Sequence, residues 1–152
     1  MKGINYLASV VKVYREALDC FDRNPAEYSV NPEWLSELAK ICHRGYCTGF
    51  YFGDPRQTVP DYEFSQQMDT HLFIGKIRTT DDNGRTLMEV RNKCLADDPV
   101  EILSPRQAAR KTRIGDMRDE KGNPIQMAQP GTRVYPELGM KSKPNVLVRK
   151  RT

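Results

Sequence analysis

Arg44-Gly45-Tyr46-Cys47-Thr48-Gly49-Phe50-Tyr51-Phe52-Gly53-Asp54-Pro55 separates a helix-like N-terminal half of the chain from a strand-like C-terminal half. This stretch holds four of the thirteen aromatic residues in the chain. Its three glycines interrupt any long regular element, so the rings lie on a bent segment. It therefore predicts a structural junction between two units, formed by Tyr46, Phe50, Tyr51 and Phe52. The stretch supplies no activated nucleophile, acid/base pair or metal cage.

The N-terminal half predicts two helices. Steps of three and four residues place one apolar stripe on a first helix, which ends at Asn24-Pro25: Leu7, Val10, Val11, Tyr14, Leu18 and Phe21. A second helix begins at the cap Asn31, with Pro32 in its first turn, and closes at Gly45. Its apolar side consists of Trp34, Leu35, Leu38, Ile41 and Cys42. The short connection Pro25–Val30 favours an antiparallel helix pair.

The C-terminal half predicts a small antiparallel β-barrel. Two strand-like runs, His71–Thr80 and Arg85–Asn92, flank the hairpin turn Asp81-Asp82-Asn83-Gly84. Further short strands are predicted at Val100–Leu103, Arg110–Met117, Ile125–Met127, Thr132–Tyr135 and Val146–Arg149. Several short strands separated by turns are typical of a closed or partly closed barrel.

The predicted fold class is therefore α+β, with an N-terminal antiparallel helix pair followed by a small antiparallel β-barrel. The helical connector with its aromatic junction covers residues 1–53. A polar loop follows over residues 54–69, and the barrel domain covers residues 70–152.

Composition and charge predict a cytoplasmic protein without membrane contact. Charged residues make up 29% and apolar residues 38%, and no apolar run is long enough for a membrane span or a secretion signal. The net charge of +4 is uneven, at −2 over residues 1–68 and +6 over residues 69–152. This asymmetry indicates either a polyanionic partner such as nucleic acid or a strand face kept soluble by Lys and Arg.

The cysteine and histidine pattern predicts no metal site. Cys42, His43 and Cys47 are close in sequence, and Cys94 or His71 would have to complete a zinc-type set. The paired Cys-x-x-Cys spacing of such sites is absent. We therefore expect free thiols with a structural role, and no cofactor bound by this chain.

The acidic pairs do not predict a catalytic centre. A solvated carboxylate at a turn makes a poor general acid or base. The pairs Asp81-Asp82, Asp97-Asp98 and Asp119-Glu120 all lie at predicted turns. We expect no catalytic residue among them.

Three groups of motifs together cover nearly the whole chain. The first group is Met1-Lys2-Gly3-Ile4-Asn5-Tyr6-Leu7-Ala8, Val10-Val11, Tyr14-Arg15 and Ala17-Leu18-Asp19. The second is Pro32-Glu33-Trp34-Leu35, Glu37-Leu38, His43-Arg44 and Thr48-Gly49-Phe50-Tyr51. The third is Asp119-Glu120-Lys121-Gly122-Asn123-Pro124-Ile125. These motifs resemble peptidase family U32, the collagenase-like proteases, and the third resembles the turn in the C-terminal barrel of that family.

The resemblance implies that this chain corresponds to the C-terminal region of longer proteins. Met1-Lys2 resembles the end of a segment that follows an N-terminal, barrel-like catalytic region. The family signature with closely spaced cysteines does not occur here. In relatives that bind an iron–sulfur cluster, the ligand cysteines lie in that N-terminal region. No ligand role therefore carries over to Cys20, Cys42, Cys47 or Cys94.

The resembled family contains both peptidases and proteins that hydroxylate tRNA or ribosomal RNA bases. Our first hypothesis is that the barrel is a non-catalytic accessory domain. It would bind RNA, above all tRNA, for an N-terminal U32 catalytic domain on the same or a separate chain. Its candidate phosphate contacts are Arg91, Lys93, Arg110, Lys111, Arg113, Lys141, Lys143, Arg149 and Lys150.

Two alternatives stay open. In the first, the chain is a structural module of a U32 peptidase that docks on the catalytic domain or presents a protein substrate. In the second, it is a hydrolase fragment that retains collagenase activity. Because the family signature is missing, this alternative is the least favoured. We do not expect this chain alone to be an enzyme.

Overall fold

The computed structural model describes residues 3–41, 50–53, 70–80, 85–105, 107–140 and 142–152. The chain divides into two compact units, Met1–Thr70 and His71–Thr152. Two α-helices lie in the first unit and an antiparallel sheet lies in the second. The predicted loop over residues 54–69 and the predicted turn over residues 81–84 lie outside the described residues.

The first helix, α1, spans Ile4–Arg23 and confirms the predicted stop at Asn24-Pro25. Proline pushes the residue before it out of the helical region, so Asn24 leaves the helix. Lys12 and Glu16 form an ion pair one turn apart on this helix. Among the helices that the structure describes, none combines the length and hydropathy needed to cross a membrane.

The apolar stripe of α1 lies largely in solvent. Five of its large side chains are between 50% and 64% exposed: Leu7, Val11, Tyr14, Leu18 and Phe21. The buried residues of α1 are instead Ser9 and Val13. Ser9 Oγ donates a hydrogen bond to Glu37 Oε1 at 3.3 Å. The contact between the two helices is therefore narrow and includes a polar pair.

The second helix, α2, spans Pro32–Leu38 and begins as predicted. The side chain of Asn31 caps it, since Asn31 Oδ1 accepts from the backbone N–H of Glu33 at 2.9 Å. The prediction that α2 continues to Gly45 is wrong. The N–H of Ile41 donates to the carbonyl of Leu38 at 3.3 Å, which is the tight three-residue bond of a helix that is ending.

The packing of α2 agrees only partly with its predicted apolar side. Trp34 and Ile41 are buried, but Leu35 is exposed, so its assignment to the buried face is wrong. The Trp34 ring stacks on Tyr28 at a centroid distance of 6.4 Å, and Tyr28 meets the edge of Phe21 at 5.5 Å. The rings of Phe21, Tyr28 and Trp34 therefore form a small aromatic cluster at the connection between the helices. The antiparallel direction of the two helices stays a prediction.

The described part of the second unit contains ten strands. They are β1 His71–Thr80, β2 Thr86–Val90, β3 Cys94–Leu95, β4 Pro99–Leu103, β5 Arg110–Arg113, β6 Met117–Asp119, β7 Pro124–Ile125, β8 Met127–Ala128, β9 Arg133–Pro136 and β10 Leu147–Arg151. Strand β1 has its predicted bounds, and β2, β4, β9 and β10 lie within two residues of theirs.

The predicted strand Arg110–Met117 is two strands, β5 and β6. Between them, the N–H of Ile114 donates to the carbonyl of Asp98 at 3.0 Å. The next N–H, that of Gly115, donates to the carbonyl of Glu137 at 2.7 Å. The backbone therefore changes its hydrogen-bond partner at this point, from the segment of Asp98 to the segment of Glu137. A local sequence pattern does not reveal such a change.

Eight strands form one antiparallel sheet in the order β5-β4-β10-β1-β2-β9-β6-β7, and β3 pairs with β8 in a second, two-stranded sheet. The large sheet curls strongly into a half-barrel. Among the described residues β5 pairs only with β4, and β7 only with β6. The expectation of a barrel-like antiparallel sheet is confirmed, and its closure stays a prediction.

Two irregularities in β1 contribute to this curl. Its register against β10 shifts between Phe73 and Gly75, and its register against β2 shifts between Ile77 and Thr79. Such bulges increase the twist of a strand. A Cβ atom at Gly75 would lie 2.4 Å from the carbonyl oxygen of Glu89, so the close approach of β1 and β2 requires glycine here.

The core of the second unit follows from the alternation of side chains along its strands. In β2, Met88 and Val90 are buried, while Leu87 and Glu89, which alternate with them, are half-buried. Consecutive residues of a strand point to opposite faces. We call the side of the sheet that carries Glu89 the outer face. The core side consists of Ile74, Ile77, Met88, Val90, Cys94, Val100, Ile102, Ile114, Met117, Ala128, Val134, Leu138, Val146 and Val148.

Candidate nucleic-acid interface

Three of the predicted phosphate contacts lie together on the edge strand β5. Arg110, Lys111 and Arg113 are all exposed. Arg113 Nη1 donates to the carbonyl oxygen of Asp97 at 2.9 Å, which fixes the position of its guanidinium. The edge of the sheet therefore presents three cations within four residues.

The other lysines of the predicted set are dispersed. Lys93 follows β2 and Lys143 precedes β10, and both are exposed. Lys150 is half-buried and pairs with Asp98, with 2.8 Å between Nζ and Oδ2. Lys141 lies outside the described residues.

The structure corrects the assignment of Arg149 as a nucleic-acid contact. Its side chain is 0% exposed and donates from Nε at 3.1 Å and from Nη2 at 2.8 Å to Glu101 Oε2. Arg149 and Glu101 are direct partners across β10 and β4. His71 Nε2 lies 3.7 Å from the same carboxylate oxygen. Arg149 belongs to a buried ionic group and does not reach a phosphate.

A second group of cations surrounds Glu89 on the outer face. Arg78 on β1 binds its carboxylate, and Arg91 Nη2 lies 2.7 Å from Glu89 Oε1. Arg133 on β9 is the direct partner of Glu89 across the strands. The hydrogen bond from Arg78 and the charges of Arg78, Arg91 and Arg133 hold the pKa of Glu89 below its usual value. Arg133 Nη1 also lies 3.7 Å from Glu120 Oε1, so three guanidinium groups with two carboxylates leave an excess of one positive charge.

The second unit also contains a cleft of about 600 Å³. Its walls include Tyr135 of β9, Arg118 of β6 and Arg85, which precedes β2. Tyr135 and Arg118 are direct cross-strand partners. Asp116 and Glu137 contribute two carboxylates to the same walls. The cleft therefore combines one half-buried aromatic ring, two cations and two anions with the buried residues Thr86, Pro136 and Leu138.

The predicted set of contacts omits Tyr135 and the arginines at positions 85, 118 and 133. A weak local signal exists in Arg133-Val134-Tyr135, where Val134 is buried and the two flanking residues point to the other face. Strand pairing is what brings Arg118 and Tyr135 together. The two residues are 17 positions apart in the chain, and the sequence pattern predicted β6, which carries Arg118, as part of one strand with β5.

The aromatic junction is exposed where it is described. The side chains of Phe50, Tyr51 and Phe52 are 84%, 91% and 86% exposed, and Tyr46 lies outside the described residues. Rings this exposed gain little from burial within the chain. Burial of the three described rings therefore does not support the structural role that the sequence predicts for them.

The described thiols do not form a metal site. Cys20 is partly exposed on α1, and Cys94 is buried in β3, where burial raises the pKa of its thiol to about 11. Within the described ranges, no three His, Cys, Asp or Glu side chains gather as metal ligands. Two cysteines in different units do not provide the four thiolates of an iron–sulfur cluster. Cys42, His43 and Cys47 lie outside the described residues.

The carboxylate of Asp119 has a structural role in its turn. Asp119 Oδ1 accepts from the backbone N–H of Lys121 at 2.9 Å and of Asn123 at 2.8 Å. Oδ2 accepts from Asn123 Nδ2 at 3.0 Å. The hydrogen bonds from Asn123 lower the pKa of Asp119 most, and the backbone hydrogen bond from Lys121 lowers it less. A carboxylate engaged in this way holds the turn together and is poorly placed to act as a general base.

Comparison with known families accounts for both units. A family model described as "Peptidase family U32 C-terminal domain" matches residues 69–149, which is more than half of the chain. The chain belongs to peptidase family U32. A second model of this family, described as "Peptidase family U32", matches residues 1–61 of the U32 chain.

Two curated relatives of this U32 chain carry names from RNA modification. The Bacillus subtilis "tRNA hydroxylation protein P1" is 29% identical over 152 residues, which is 99% of this chain and 36% of the relative. The Haemophilus influenzae "tRNA hydroxylation protein P" is 28% identical over 130 residues, 84% of this chain and 27% of the relative. The U32 chain thus spans about a third of the length of the curated relatives it matches.

Two solved structures show similar C-terminal domains. Both are crystal structures of the C-terminal domain of a Geobacillus thermoleovorans protein assigned to the U32 peptidases. The selenomethionine form has a TM-score of 0.49 and 26% identity, covering 52% of this chain and 99% of that domain. The other form has a TM-score of 0.48 and 23% identity, covering 53% and 91%.

Proposed function

We propose that this chain is a non-catalytic accessory region of a U32-family protein and that its second unit binds RNA, above all tRNA, in the cytoplasm. The names of the two curated relatives support tRNA as the first RNA to test. A U32 catalytic domain, on the same or a separate chain, would carry out the reaction on the RNA held by this unit.

The observation that carries this proposal is the concentration of exposed cations on the second unit. Residues 69–152 hold seventeen Lys or Arg against eleven Asp or Glu. The edge strand β5 and the outer face around Glu89 each present three exposed cations. Phosphate contacts of this kind supply most of the affinity and position a protein on RNA without reading its sequence.

Binding to unmodified tRNA, measured by fluorescence anisotropy over a series of salt concentrations, tests the proposal. We expect log K to fall linearly with log[salt] because each neutralised phosphate releases counterions. Replacing Arg110, Lys111 and Arg113 together with Gln should weaken binding and reduce the magnitude of the slope by about 2 to 3.

A matched control removes the same charge from α1, by replacing Lys12, Arg15 and Arg23 with Gln. Arg15 pairs with Asp19 and Lys12 with Glu16, so these cations are already partnered by acids. The control should keep the affinity and the slope of the wild type. No binding at low salt, an affinity independent of salt, or equal losses in both triple variants would each refute RNA binding through β5.

A second role, docking on the rest of a U32 domain, is favoured by the exposed stripe of α1. Large apolar side chains aligned along one helix face are rarely left in water without a partner. Residues 1–61, which include α1, match the model of the U32 family itself and not that of its C-terminal domain. We propose that this face packs on the U32 catalytic domain. This role is compatible with RNA binding by the second unit.

Replacing Val11 and Leu18 with Glu tests the docking role in two settings. Both side chains are mostly exposed, so this chain alone should keep its melting temperature. The same change at the matching positions of the full-length Bacillus subtilis relative should lower the melting temperature, because charge would enter a packed interface. Equal behaviour in the two settings contradicts docking through this face.

A further inference from the structure

Tyr135, in the wall of the cleft, lies on the side of the sheet that carries the arginines around Glu89. Tyr135 and Arg133 are two residues apart on β9, so their side chains share one face. Arg133 pairs across the strands with Glu89, and Tyr135 pairs with Arg118 of β6. The ring therefore lies between the arginine group on one side and Arg118 on the other.

The composition of the cleft argues against a free anion as its ligand. Arg85 and Arg118 are balanced by Asp116 and Glu137, so the walls are close to neutral. The excess positive charge lies outside the cleft, at the guanidinium groups around Glu89. A ligand that fits has an uncharged planar part for the cleft and a negative part that extends beyond it.

The ring supplies the means to hold such a planar group. Among the described residues Tyr135 has no aromatic stacking partner, and its side chain is half-buried in the wall of the cleft. Aromatic side chains of this kind stack on unpaired bases, whichever base is present. The carboxylates of Asp116 and Glu137 only accept hydrogen bonds, which suits the N–H groups on the edge of a base.

We propose that this cleft binds one unpaired nucleotide of an RNA chain. The base stacks on Tyr135, its own phosphate contacts Arg118, and the neighbouring phosphates follow the arginine group around Glu89. A base inside a duplex does not expose its face, so the site selects single-stranded segments. This assignment rests on the proposed RNA-binding function and adds the position and the strandedness of the bound segment.

Fluorescence anisotropy with a fluorescein-labelled RNA octamer, single-stranded or annealed to its complement, tests the assignment. The full chain should bind the single strand more tightly than the duplex. Tyr135→Leu should weaken binding to the single strand by roughly 5- to 150-fold, the range expected for loss of one base stack. Tyr135→Phe, which keeps the ring, should restore most of the affinity.

The salt dependence separates the two kinds of contact. Tyr135→Leu removes no charge, so its slope of log K against log[salt] should equal that of the wild type. Arg118→Gln should weaken binding and reduce the magnitude of the slope by about 1. Tyr51→Leu changes an exposed tyrosine of the other unit and serves as the matched control, with wild-type affinity and slope.

The outcomes distinguish this assignment from the broader function. If tRNA and octamer both bind but Tyr135→Leu or Arg118→Gln binds the octamer like the wild type, the cleft assignment fails and RNA binding stands. Equal weakening by Tyr135→Phe and Tyr135→Leu also refutes base stacking. If neither RNA binds at about 50 mM salt, both the proposed function and the cleft assignment fail. Arg118 is exposed, so the Arg118→Gln result decides the matter even if Tyr135→Leu does not fold.

Discussion

Replacing the buried Arg149 with Met should destabilise the second unit by about 3–5 kcal/mol. The guanidinium is fully buried, and two of its nitrogens donate to one carboxylate oxygen of Glu101, at 3.1 and 2.8 Å. The substitution leaves a buried carboxylate without these two charge-assisted bonds. The cost of desolvating this carboxylate, which the two lost bonds no longer offset, sets the size of the effect.

Urea unfolding followed by far-UV circular dichroism measures this loss. The only tryptophan of the chain, Trp34, lies on α2 in the first unit, so its fluorescence reports that unit separately. We expect the dichroism transition of Arg149→Met to move to lower urea. We expect the Trp34 transition to stay in place, which would locate the loss in the second unit.

Two further variants test the reasoning. Lys150→Met removes the adjacent cation, whose half-buried pair with Asp98 should be worth about 1 kcal/mol or less. Replacing Glu101 with Leu in the Arg149→Met background removes the buried charge itself and should recover much of the lost stability. A loss below about 1 kcal/mol for Arg149→Met, or a double variant less stable than the single one, would show that burial of this charge does not control stability.

Three other predictions concern single positions. Gly75→Ala should destabilise the sheet by roughly 1–3 kcal/mol in urea unfolding, since its Cβ would lie 2.4 Å from a backbone oxygen; an unchanged midpoint would show that β1 and β2 can separate freely. The pKa of Asp119 is lower in the folded protein than in the unfolded chain. The Asp119 carboxylate therefore stabilises the fold above about pH 4, and this stabilisation is lost as the pH falls through the folded-state pKa. Melting temperatures of the wild type and Asp119→Ala should therefore differ at neutral pH and converge in acid, and a constant difference would contradict this. Phe50→Ala should change stability by less than about 0.5 kcal/mol in thermal unfolding because the ring is 84% exposed; a loss of several kcal/mol would reveal a packing role for the junction.

The parts of the fold that follow local rules could be predicted from the sequence. Strand β1, the start of α2 at Asn31 and the end of α1 before Pro25 all agree with the structure. Each depends on residues within a few positions of one another, such as a capping side chain, a proline or an alternating run. The two-stranded sheet of β3 and β8 has no such signal, because two residues are too short for any period.

The candidate site could be predicted only in its overall charge. The excess of Lys and Arg in the C-terminal half indicates a polyanion partner, and the cations of β5 are exposed as expected. Arg149 carries the same charge and lies on a predicted strand, but it is buried against Glu101. Its exposure depends on which strands lie on either side of β10, and residue 101 is 48 positions away along the chain.

The sequence by itself determined the family, the order of the two helices and of strands β1, β2, β4, β9 and β10, and the basic character of the second unit, because motifs, caps and net charge are local or additive properties. Only the tertiary structure decided which faces are buried and which side chains meet. The stripe of α1 is apolar in sequence but largely exposed, whereas the buried residues of α1 are Ser9 and Val13. Tyr135 shares a cleft with Arg118 and Arg85 only because strand pairing and curling of the sheet bring the three residues together. Periodicity assigns a residue to a face, but the residues across from it are chosen by long-range pairing.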